Sequence, residues 1–157
     1  MNSFTDSKLE DSFEKVILSF KKWVLLLPFQ KTIINLHGEK VAAKMHINPD
    51  RSEVLIPADV HITNPLTTIY PNVEFGENIS IMGGSSEHNF IVIGDHSKIG
   101  DNTTIHEGVN IETYCTVESG VTLGKHVDLH FNCTVLKGTV VEEGKTIPQS
   151  AVYSNLK

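Results

Sequence analysis

The stretch Ile93-Gly-Asp-His-Ser-Lys-Ile99-Gly-Asp-Asn-Thr-Thr-Ile105-His-Glu-Gly-Val-Asn-Ile111 decides how the chain folds. An isoleucine returns every sixth residue, and the series continues through Val117, Leu123, Leu129, Val135, Val141 and Ile147. With aliphatics at about a quarter of an average composition, ten successive matches arise by chance on the order of once in a million frames. A second series stands four residues after each: Ser97, Thr103, Val109, Cys115, Val121, Val127, Cys133, Thr139, Lys145 and Ala151. All but Lys145 are small or β-branched.

A period of six fits neither an amphipathic helix nor an ordinary alternating strand. It fits a flat strand plus a corner, three of which close a triangular coil whose large aliphatics fill the interior. One coil cannot bury its own face, so only a stack is stable. This is the hexapeptide repeat, and it predicts a mainly β fold: a left-handed parallel β-helix of about five coils. Its columns follow from three sixes. Ile93, Ile111, Leu129 and Ile147 share one face, Ile99, Val117 and Val135 the next, and Ile105, Leu123 and Val141 the third. Cys115 and Cys133 become neighbours on adjacent coils, where buried reduced thiols are the simpler expectation than a disulfide.

Upstream, Ile69, Phe75 and Ile81 keep the frame. The segment Met82-Gly-Gly-Ser-Ser-Glu-His-Asn-Phe90 puts Glu87 where an aliphatic belongs, and its composition marks a bulge or loop leaving the coil. Ile56-Pro-Ala-Asp-Val60 and Ile62-Thr-Asn-Pro-Leu66 read as earlier hexads after a one-residue slip at Thr68. The β-helix is therefore expected over 53–157, and residues 1–52 read differently. Leu9, Phe13, Val16, Ile17, Phe20, Val24 and Leu27 fall on one helical face, Ser7 and Glu10 form a capping box, and Pro28 stops the run. A helix is expected over about 8–27, with Leu9, Phe13, Phe20 and Val24 as its partner-binding face. Lys31–Leu36 and Lys40–Ile47, around His37-Gly-Glu, read as a hairpin.

The 157 residues carry 13 Lys+Arg against 19 Asp+Glu, a net charge of −6. That gives no electrostatic reason to bind nucleic acid. No run reaches the length of a membrane span, and the acidic start lacks the basic region of a signal peptide. A soluble cytoplasmic protein without integral membrane association is expected.

Eight histidines raise the question of a metal. His88 and His106 follow interior positions 18 residues apart, so the columns stack them on adjacent coils as candidate zinc ligands, with a third ligand arriving from a neighbouring chain. The segment from His88 to His106 resembles part of the γ-class carbonic anhydrases, although only His106 falls near a family ligand position, and Glu118 and Thr122 occupy the later histidine region. As bases for acyl transfer, His130, His126 and His96 qualify by residue type alone.

Three stretches, Thr68-Ile-Tyr-Pro-Asn-Val-Glu-Phe75, Phe90-Ile-Val-Ile-Gly-Asp-His-Ser-Lys-Ile-Gly-Asp-Asn102 and Val121 through Ser154, resemble the small pointed-end subunits of dynactin. The resemblance implies a non-enzymatic, cytoskeleton-associated assembly subunit without a cofactor, assisting dynein-driven transport. Its implied partners are a second hexapeptide β-helix subunit and an actin-related protein. The alternatives are a hexapeptide acyltransferase using an acyl-coenzyme A donor and a γ-carbonic-anhydrase-like zinc protein.

Overall fold

The computed structural model describes residues 31–84 and 88–155. The expected helix, with Leu9, Phe13, Phe20 and Val24, lies outside the described residues, as does Glu87. Thr32–Lys157 forms one compact unit.

That unit opens with an antiparallel meander of β1 (Thr32–Ile34), β2 (Lys40–Ile47) and β3 (Glu53–Pro57). The expected hairpin is β1–β2, paired Thr32 to Ala42 and Ile34 to Lys40. The hexad at Ile56 is not a rung of the coil. Its strand runs antiparallel to β2, with Ile56 opposite Lys44, although the Ile56 side chain enters the core.

Among the described residues, fifteen short strands follow, three to a coil. The first coil holds β4 (His61–Ile62), β5 (Thr67–Ile69) and β6 (Glu74–Phe75). The second holds β7 (Ser80–Ile81), β8 (Ile91–Ile93) and β9 (Lys98–Ile99). The third holds β10 (Thr104–Ile105), β11 (Asn110–Ile111) and β12 (Thr116–Val117). The fourth holds β13 (Thr122–Leu123), β14 (Asp128–Leu129) and β15 (Thr134–Val135). The fifth holds β16 (Val140–Val141), β17 (Thr146–Ile147) and β18 (Val152–Tyr153). They align as three parallel five-stranded sheets: β4-β7-β10-β13-β16, β5-β8-β11-β14-β17 and β6-β9-β12-β15-β18. This is the hexapeptide β-helix of five coils that the periodicity predicts.

The register confirms the columns. Ile111 pairs with Ile93 and with Leu129, and Leu129 with Ile147. The interior aliphatics from Ile93 to Ile147 are all buried. Ile105, however, pairs with Ile81, an offset of 105 − 81 = 24 in place of 18. The six extra residues fall between Ile81 and Ile91, where the sequence carries the Gly-Gly segment. Ile81 pairs with Ile62 at 81 − 62 = 19, which is the slip of one.

From the second coil onward the corners are made by residues in the left-handed region. From His96 to Ser150 this happens at every sixth residue without interruption, at His96, Asn102, Gly108, Tyr114, Gly120, His126, Asn132, Gly138, Gly144 and Ser150. Four of the ten are glycine and two asparagine, the residues for which this conformation costs least.

Open coil ends would expose unpaired strand edges. The meander closes the first one with two side chains and a backbone N–H. Asn48 donates to the Ile69 carbonyl at 3.0 Å and accepts from the Ile69 N–H at 2.8 Å, as a strand would. The His46 ring donates to the Thr67 carbonyl at 2.8 Å, and the Leu36 N–H to the Phe75 carbonyl at 2.8 Å. At the far end, Asn155 pairs in the same way with the N–H and carbonyl of Val140.

Cys115 and Cys133 are both free and buried, with sulfurs 3.7 Å apart. The hydrogen bond shared with Cys115, together with burial, pushes the Cys133 thiol well above its ordinary range. Two checks follow from this packing. Leu129→Ala should cost about 2–5 kcal/mol in denaturant unfolding, whereas Val152→Ala, exposed by 67%, should stay within about 0.5 kcal/mol. Both thiols should resist an aromatic disulfide reagent in the native protein and react fully once it is unfolded; rapid native labelling would contradict the buried pair.

Candidate active site

The tip of the β1–β2 hairpin carries His37. Asn35 shapes that turn, its Oδ1 accepting from the N–H groups of His37 (2.9 Å) and Glu39 (3.0 Å). The turn brings the His37 ring to Asp101, a corner residue of the second coil 64 positions later. Nε2 lies 2.7 Å from Oδ1 and 2.9 Å from Oδ2. Asp101 Oδ1 also accepts from the Glu77 N–H at 2.7 Å. Gly76 makes this possible, since a Cβ there would lie 2.1 Å from Asp101 Oδ1 and 2.8 Å from its backbone nitrogen.

An ionised carboxylate only accepts, so Nε2 carries the proton and neutral His37 keeps its lone pair on Nδ1. The hydrogen bond and charge of Asp101 raise the His37 pKa. The Glu77 N–H and then the His37 contact lower that of Asp101, against some desolvation.

The pair sits at a cleft of about 300 Å³ on the outer surface of the β6-β9-β12-β15-β18 sheet. Leu36 gives it an apolar wall, and Lys98 and Lys137 give it positive charge. Among the described residues, neither lysine is held in an ion pair. A cavity with convergent polar groups and a perturbed titrating pair is the arrangement expected of a ligand site.

The histidines singled out from sequence lie elsewhere. His130 follows β14 and bonds Asp128 Oδ2 at 3.1 Å on a different face. His96 and His126 are corner residues. His96 stacks on Tyr114, centroids 4.9 Å apart and planes 13° from parallel. His126 lies over Gly108, where a Cβ would fall 2.1 Å from its Nδ1. The register does not bring His88 and His106 together as an 18-residue offset would. His106 follows Ile105, whose partner is Ile81, so Met82 stands beside it and His88 falls in the insertion.

No protein-family model matches the chain, and no curated protein does. The resemblance to dynactin subunits therefore gains no support from them. Among solved structures, the chain is similar to a single-site variant of GDP-perosamine N-acetyltransferase from Caulobacter crescentus in complex with CoA and GDP-perosamine. The identity is 21% and the TM-score 0.36, over 60% of this chain and 51% of that one. It is also similar to PerB from Caulobacter crescentus in complex with CoA and GDP-perosamine, at 22% identity and TM-score 0.34, over 61% and 53%. The chain spans about half the length of these two structures. Likeness at this level transfers no residue role.

The His37–Asp101 pair has a definite pH signature. A histidine whose folded pKa is raised adds stability that is complete below the unfolded value of about 6.5 and fades as pH rises through the folded pKa. Unfolding midpoints should fall across that window, and His37→Gln should flatten the slope. An unchanged slope in the variant would remove the pair from the account.

Proposed function

We propose that the chain catalyses acyl transfer from a thioester donor to a hydroxyl or amine acceptor in the His37–Asp101 cleft. The observation that carries this reading is the His37 Nε2 to Asp101 Oδ1 contact of 2.7 Å at the cleft. Asp101 fixes the ring and its tautomer, leaving Nδ1 as general base.

The chemistry balances within one turnover. Nδ1 takes the acceptor's proton as the acceptor oxygen or nitrogen bonds to the thioester carbonyl carbon. The carbon–sulfur bond then breaks, and the leaving thiolate takes the proton from the imidazolium. Asp101 holds the positive ring during that interval. Lys98 and Lys137 suit the phosphates of a coenzyme A donor, and Leu36 suits an acyl chain.

Thiol release from acetyl-coenzyme A, followed colorimetrically with a panel of amine and hydroxyl acceptors, tests the proposal. His37→Ala should lower kcat/KM by 10²-fold or more, while His130→Ala leaves it unchanged. The rate should rise with pH through a value above 6.5, as His37 loses its proton. Equal losses in both variants, or no turnover with any acceptor, would refute it.

One observation favours a second reading, in which the chain packs on another hexapeptide subunit and an actin-related protein. Tyr114 is 52% and Phe131 40% exposed, and their rings meet edge to face at 5.9 Å along one corner. Exposed aromatics of this kind are enriched where proteins associate. Recovery of a stable heteromer with those partners, lost on Tyr114→Ser, would support it.

A further inference from the structure

We propose that Glu112, Asp128 and His130 form a binding site for one zinc-class divalent cation, on the β5-β8-β11-β14-β17 face and independent of the His37 cleft. Each side chain offers one ligand atom, and these atoms lie within 4.8 Å of one another. The in-register ladder makes the grouping. Asn110 and Asp128 precede paired interior residues, and Glu112 and His130 follow them.

Both carboxylates are already held by an outer hydrogen bond. Asn110 Nδ2 donates to Asp128 Oδ1 at 2.9 Å, which leaves Oδ2 beside His130 Nε2 at 3.1 Å. The Phe131 N–H donates to Glu112 Oε2 at 2.8 Å, which leaves Oε1 for the group. Such outer partners are what orient ligands in protein metal sites.

The charge balance also calls for a cation. Two half-buried carboxylates share the place with one histidine, and among the described residues no lysine or arginine pairs with either. One imidazole nitrogen with two carboxylate oxygens suits zinc-class ions better than calcium or magnesium, which prefer all-oxygen shells. On binding, the metal replaces the Nε2 proton, which leaves to solvent, and the histidine carries its remaining proton on Nδ1.

The test is calorimetric titration of zinc chloride into the chelator-stripped full chain at pH 7.5. The expected result is one strong equivalent per chain and a raised melting temperature. Glu112→Gln and His130→Asn should each weaken binding at least tenfold, and Asn110→Ala about tenfold. Circular dichroism of each variant checks the fold. The isosteric Glu112→Gln keeps the test decisive if another variant misfolds. His37→Ala, which lowers the proposed acyl transfer, should bind zinc normally, so either proposal can fail without the other. Absence of a strong equivalent, or zinc binding unchanged by Glu112→Gln and His130→Asn, would overturn the site.

Discussion

The stacking of one inward aliphatic on the next, coil after coil, is the constraint from which the rest of the structure follows. Ile93, Ile111, Leu129 and Ile147 occupy one file only because the backbone ladders hold every coil in register. Those ladders persist in turn because a one-residue slip would carry the aliphatics outward along the whole strand. Burial and pairing enforce each other. The same register lines up outward positions, so a polar residue before or after an interior aliphatic acquires a fixed neighbour one coil away. Asn110 against Asp128 is one such pair.

A stack this regular has an unsolved edge at each end, and the chain answers both with the same chemistry. Asparagine amides present a donor and an acceptor in the spacing of a peptide group. Asn48 therefore substitutes for a missing strand at Ile69, and Asn155 does so at Val140. Burial makes the first of these costly to lose, since Asn48 is almost inaccessible and the Ile69 N–H and carbonyl have no water to turn to. The meander is thus a cap for the coil as well as the carrier of the His37 turn.

The coil was legible because its signal is local and repeated: six residues of sequence specify six residues of structure, and ten copies remove the ambiguity. The Gly-Gly insertion was legible as a break in that rhythm, but the failure of His88 to stack on His106 was not, because distance along the chain ceases to measure distance in space once the register takes in six extra residues. Ile56 misled for a related reason. Its alternation suits a hexad and an antiparallel strand equally, and only its pairing with Lys44 distinguishes them. The corners carried a readable mark in Gly108, Gly120, Gly138, Gly144, Asn102 and Asn132, all in one phase. His37 carried none. Its partner lies 64 residues away, and a His-Gly-Glu turn looks like any hairpin tip until the meander is folded against the second coil.

Every rung of the coil offers nearly the same backbone environment, so a repeat alone gives its side chains similar neighbours above and below. An unusual environment needs something that does not repeat. Here it is a hairpin tip placed across a corner, with Gly76 stripped of a side chain so that one carboxylate can reach both a backbone N–H and an imidazole. Asp101 is fixed by the regular part through the Glu77 N–H, and His37 by the irregular part through the Asn35 turn. The backbone hydrogen bond from Glu77 keeps the carboxylate in place when the ring changes charge, so the pair can cycle a proton without rebuilding its geometry. On the proposed acyl-transfer reading, such a junction, rather than the many histidines of the coil itself, is where a rigid solenoid holds its base.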